Sequence, residues 1–167
     1  PIQRWFFDKG FNDAHHWNQA VLLDLTIPVS DEILARSLQT IAERHDAFRV
    51  RFKRNGGGWR QIFETAAGKI PLDIFDLSDL TSVEREAAQE LQSDALQASL
   101  NLECGPLCRA ALFRRGDAPS QLLLIAHHLV IDAQSWRVIV GELEKCVGAL
   151  VVGASPDLPE PIHNFDA

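Results

Sequence analysis

The stretch LLLIAHHLVIDAQSWRV, residues 122–138, decides how the chain is read. Five apolar residues, Leu122 to Ala126, run straight into two adjacent histidines, His127 and His128. Asp132 follows, then Ser135 and Trp136 lead into another apolar run. The part before the histidines is apolar on both faces, the pattern of a strand covered on two sides. The part after Asp132 carries Trp136, Ile139, Leu143, Val147 and Leu150 at helical spacing. The histidines therefore stand where a central strand gives out and the chain turns toward a helix. Strand ends of α/β sheets are common positions for sites.

Working outward, LCRAALFRR (107–115) reads as a strand joined to SQLLLIAHH by the turn GDAPS, with Gly105-Pro106 breaking the chain before it. Thr81 and Glu84 form a capping box, and the helix they open runs to about Leu100 with an inner stripe of Val83, Ala87, Leu91, Ala95 and Ala98. LDIFDL (72–77) is a short strand. NGGG (55–58) is a hairpin turn between a strand carrying Phe48, Val50 and Phe52 and its partner WRQIFE. Ser30 caps a helix whose face holds Leu34, Leu38, Ile41, Ala42 and His45. Before it, Val21, Leu23, Leu25 and Ile27 alternate as a strand that Pro28 ends. The aromatic start, residues 1–7, is a short helix or packed arm, and residues 11–19 are a polar loop. The expected fold class is α/β of the α+β type, helices covering a mixed, mostly antiparallel sheet.

Composition excludes several functions. The chain has 167 residues, 46% hydrophobic and 23% charged, so one globular domain with a sizeable core is expected. A net charge of -7 argues against nucleic acid and against an anionic membrane surface. No apolar run approaches the roughly 20 residues of a membrane helix. Cys104, Cys108 and Cys146 have no paired spacing; all three read as small core residues, and a cytoplasmic location fits. The chain starts with proline, contains no methionine and ends in EPIHNFDA, which reads as an excerpt of a longer polypeptide or a processed product. The tail from residue 153 has linker composition.

Neighbouring strand residues point to opposite faces, so one histidine should be structural and the other should reach the open side. A metal reading of His127, His128 and Asp132 lacks a third ligand with fitting spacing. A hydrolase reading fails because Ser135 lies on a helix rather than in a Gly-flanked elbow. Asp132 has three readings: helix N-cap, partner of His128, or half of a buried ion pair with an arginine. Trp136 packs in the core or lines a channel. Ser135 bonds within the first helical turn or touches a substrate. His15 and His16 read as solvated.

HHLVIDAQSWRV resembles the His-His-x-x-x-Asp signature of the condensation superfamily of nonribosomal peptide synthetases. Ser135-Trp136, PIQRWFF at the start and HHWNQAVLL resemble its epimerization branch. RHDAFRVRF (44–52) and GPLCRAALF (105–113) match further blocks in order, so the resemblance spans nearly the whole chain. Ala133 departs from the glycine common at that position. The resemblance implies a lobe like chloramphenicol acetyltransferase, the first of two, with residues 153–167 leading toward the second. It implies antibiotic-type secondary metabolism, with an isomerase acting on an aminoacyl or peptidyl thioester. That thioester would hang on the 4'-phosphopantetheine arm of a peptidyl carrier domain, the partner, with no cofactor bound by the lobe itself. His128 would be the catalytic acid or base, His127 structural, and Asp132 paired with Arg49. Condensation, or carrier binding without chemistry, are the alternatives within the same fold.

Overall fold

The computed structural model describes residues 2–11, 13–56, 58–66 and 68–159. In chain order the elements are α1 (Ile2–Asp8), β1 (Asn18–Asp24), α2 (Asp31–Arg44), β2 (Val50–Asn55), β3 (Gly58–Phe63), β4 (Leu72–Asp76), α3 (Ser82–Ala98), β5 (Cys108–Arg115), β6 (Ala118–His127) and α4 (Ala133–Val151). Short 3-10 turns occupy Ala14–His16 and Asp46–Arg49.

Four strands form the main sheet in the order β1-β6-β5-β4. The β1–β6 and β5–β6 pairs are antiparallel and β4–β5 is parallel. β6 is therefore an inner strand, as its two-sided apolar character requires. Its alternate residues Leu122, Leu124 and Ala126 pack against Leu34, Leu38 and Ile41 of α2 and Ile139, Leu143 and Cys146 of α4. Leu123 and Ile125 point the other way, into a second core with Phe113, Leu96 and Leu100. β2 and β3 form a separate hairpin. This is the expected mixed, mostly antiparallel sheet covered by helices, the chloramphenicol-acetyltransferase-like class.

The helix ends follow local chemistry. Ser30 Oγ accepts the Ile33 amide at the head of α2. Thr81 and Glu84 close the capping box of α3 reciprocally. Between α2 and α4, Glu142 is buried with its carboxylate 2.7 Å from His45 Nε2 and 3.7 Å from Arg44 Nε. Residues 154–159 carry no regular structure, yet Leu158 packs on the α2–α4 core. Pro1, Asn12 of the expected loop, Gly57 of the hairpin turn and residues 160–167 of the expected linker lie outside the described residues.

Four expectations are corrected. Phe48 lies in a 3-10 turn, and its strand starts only at Val50. β1 starts earlier, at Asn18, and stops at Asp24, so Ile27 lies beyond it and is exposed. The stripe of α3 faces outward: Val83 and Leu91 are 76% and 67% exposed, while Arg85 and Leu96 are buried. The sheet face beneath α3 carries Gln121 as well as apolar groups, and Gln89 Nε2 donates to its Oε1 at 2.9 Å. Arg85 donates to the Leu80 carbonyl at 3.1 Å. Polar anchors thus set the helix rotation, with Leu96 sealing its end. Finally, Cys104 is exposed in a turn held by Asn101, whose Oδ1 accepts the Glu103 and Cys104 amides; Cys108 and Cys146 are buried as expected.

Candidate active site

β6 ends at His127, and residues 128–132 carry the chain into the first turn of α4. The two histidines separate here, as strand alternation requires. His127 is fully buried. Its Nε2 donates to the Ala14 carbonyl at 2.8 Å, and its Nδ1 accepts the Leu129 amide at 3.2 Å. Phe6 meets the ring edge-on, with centroids 5.7 Å apart. Burial pushes the imidazole down to about 4, against the usual 6.5. Fully buried and bonded at both nitrogens to the backbone, this ring is out of reach of a substrate; it ties the 13–16 segment to the strand end.

His128 continues the α2–α4 face of the sheet and is half-buried. Its Nδ1 lies 2.8 Å from the Ile131 carbonyl oxygen. A carbonyl only accepts, so Nδ1 carries the proton and Nε2 presents a lone pair. The backbone amide of His128 donates to the Trp17 carbonyl at 2.8 Å, and the Trp17 ring stands 4.8 Å from the imidazole. Trp17 in turn joins Phe6, Phe11 and Trp5, the last two 48% exposed. An apolar aromatic shelf therefore extends from the imidazole to the surface.

Asp132 is the N-cap of α4: its Oδ1 accepts both the amide and the hydroxyl of Ser135, each at 2.7 Å. Those two hydrogen bonds hold its carboxyl below the usual carboxylate range. Of the three readings open for Asp132, the cap is the one formed. The expected ion pair with Arg49 is not: Arg49 pairs with Asp46, three residues back in the same 3-10 turn. Local pairing within that turn takes the guanidinium, because the turn replaces the strand that was to aim it at the sheet. Ser135 bonds within the first turn. Trp136 is 7% exposed, packs in the α2–α4 core, and donates its Nε1 proton to Gln19 Oε1 at 3.1 Å. His16 is exposed, but His15 is not simply solvated, since its Nδ1 accepts the Leu102 amide at 3.0 Å. Among the described residues no group of three or more His, Cys, Asp or Glu could hold a metal ion.

Gln19 and Trp17 are site residues that the reading of motifs overlooked. A signal was present: Gln19 shares the alternation of Val21 and Leu23, so it is a polar residue on the inward face of β1.

The chain matches the family described as Condensation domain over residues 1–166. It is 34% identical over its whole length to a component of the linear gramicidin synthase of Brevibacillus parabrevis. It is 37% identical over 99% of its length to Gramicidin S synthase 1 of Brevibacillus brevis. The chain spans 3% and 15% of those two proteins. Among solved structures, the epimerization domain from the third module of tyrocidine synthetase B superposes with a TM-score of 0.91 at 34% identity, covering 99% of this chain and 36% of that one. No described helix is long and apolar enough to cross a membrane.

Proposed function

We propose, because the chain belongs to the condensation-domain family, that it supplies the histidine side of an epimerization centre in a nonribosomal peptide synthetase. The substrate is an aminoacyl or peptidyl thioester presented on the phosphopantetheine arm of a carrier domain. The observation that carries the reading is the geometry of His128: half-buried beside an aromatic shelf, with Nδ1 tied to a carbonyl and Nε2 basic. The likeness to a solved epimerization domain supports the choice of reaction.

The chemistry follows from the thioester. Its α C–H is acidic because the enolate spreads charge onto oxygen. Nε2 of His128 accepts that proton, the C–H bond breaks and an N–H bond forms. A proton returned to the opposite face by a second acid inverts the centre. That acid belongs to the second lobe, for which this chain is the first; this chain alone is then inactive. Trp17, Trp5 and Phe11 offer apolar contact to the arm or to the second lobe.

Condensation is the second reading, favoured by the matched family itself. There His128 assists an amine attacking the carrier thioester. The two are separated by incubating the complete domain with an L-aminoacyl carrier in deuterated water. Epimerization gives deuterium at the α-carbon, lost in His128→Ala. Amide formation between two loaded carriers, without α-deuteration, selects condensation and rejects the proposal.

A further inference from the structure

We infer that Gln19 is a positioning residue that holds His128 as a neutral imidazole with its lone pair on Nε2. The inference rests on the reading of His128 as the reacting base, and adds the group that keeps it so.

Three hydrogen bonds run in one direction. Trp136 Nε1 is a donor only, so the Gln19 atom 3.1 Å from it must be the amide oxygen. That fixes the amide orientation, and its NH2 then points at His128 Nε2 across 3.3 Å. An amide nitrogen only donates, so Nε2 must accept. At the far side of the ring the Ile131 carbonyl only accepts, so Nδ1 must donate. The two ends of the imidazole are therefore read independently, and both demand the same tautomer.

The strand pairing explains how Gln19 arrives there. Gln19 sits opposite Ala126 on β6, and His128 is two residues further along on the same face. Gln19 is thus the diagonal neighbour of His128, on the side where α4 lowers Trp136 onto the sheet. A donor aimed at the lone pair and an acceptor at the opposite nitrogen together hold the ring in that one tautomer. Among the described residues, Asp132 from the head of α4 and His127 on its own strand are titratable groups that interact electrostatically with His128. Trp17, Gln19 and Trp136 bring no charge. When the substrate approaches, its α C–H takes the place of the Gln19 amide at Nε2, and the imidazole is already in the form that accepts the proton.

The test uses the complete domain with 15N-labelled histidine and three variants, Gln19→Leu, Gln19→Glu and Trp136→Phe. In the parent, the His128 ring signals should show a protonated Nδ1 and a pyridine-like Nε2. Gln19→Leu should mix the tautomers and lower kcat for α-proton exchange about 10–100-fold with little change in KM, by analogy with the range seen when partners that orient a metal-bound imidazole are lost. In Gln19→Glu the carboxylate accepts from both Trp136 and a protonated Nε2, so the acidic limb of the pH–rate profile should move to higher pH by about one unit or more. Trp136→Phe keeps the packing and frees the amide to flip, giving a smaller effect of the Leu kind. Ring signals and pH profile unchanged in both Gln19 variants would overturn the inference. Absence of both exchange and amide formation in the parent would instead sink the functional reading, while the ring signals still judge Gln19.

Discussion

His127 and His128 are adjacent in sequence and carry their protons on opposite nitrogens. The buried ring donates from Nε2 to the Ala14 carbonyl, and the half-buried ring donates from Nδ1 to the Ile131 carbonyl. One lone pair, on Nδ1 of His127, is used up on the Leu129 amide; the other faces the Gln19 side chain. Strand alternation thus divides one motif into a buried fastener and a ring that reaches the open side.

Stability should fall in acid because of His127. The folded ring titrates near 4 and an unfolded histidine near 6.5, so the unfolded chain binds more protons between those values. The contribution is whole above 6.5 and is lost as pH falls toward 4. It amounts to about 3 kcal/mol at most. Urea unfolding at a series of pH values should show this slope in the parent and a flatter one in His127→Asn, whatever the variant's stability at neutral pH. An equally steep acid loss in both proteins would show that another group is responsible.

Asp132→Ala should cost about 1 kcal/mol through loss of the α4 cap. Asp132→Asn and Asp132→Ser, which keep an acceptor for the Ser135 amide, should cost less. Chemical denaturation ranks the three. A loss nearer about 3–5 kcal/mol in the alanine variant would point to a buried charge partner rather than a cap.

Gly105→Ala should destabilise the chain by about 1–3 kcal/mol, because φ there is +72° and a side chain is strained in that region. An added Cβ would also stand 2.5 Å from the Arg51 guanidinium, which donates to the Val50 carbonyl and pairs with Glu64. Repeating the substitution in an Arg51→Ala background should recover the steric part and leave the backbone part. Equal thermal midpoints for Gly105→Ala and its parent would contradict both.

A thiol reagent applied to the native chain should modify Cys104 first. Cys108 is buried in the core between the sheet and α2, and burial pushes its thiol up to about 12; Cys146 is buried and raised as well. The thiolate is the reacting species, so both are protected twice, by access and by protonation. Mass mapping after brief alkylation reads the order, and denaturation should equalise the three.

The sheet, its inner strand and the opposite facing of the two histidines were legible because period-two alternation and two-sided hydrophobicity are local signals. The caps at Ser30, Thr81 and Asp132 were legible for the same reason. One miss is local: the resemblance implies Arg49 paired with Asp132, whereas a 3-10 turn gives it Asp46, three residues back. The others depend on distant chain. The α3 stripe followed helical periodicity correctly, but the rotation of a helix is fixed by what lies beneath it, and Gln121 belongs to another strand. Gln19 becomes meaningful only once β1 is laid beside β6.

β1 is the edge strand of the sheet, bonded along one side to β6. Sliding it by a single position would send Gln19 and Val21 to the opposite surface and bring Asn18 beneath α4. Chain-length changes in the connection from residue 25 to Ser30 are therefore a route to moving Gln19 away from the imidazole without touching the ring itself.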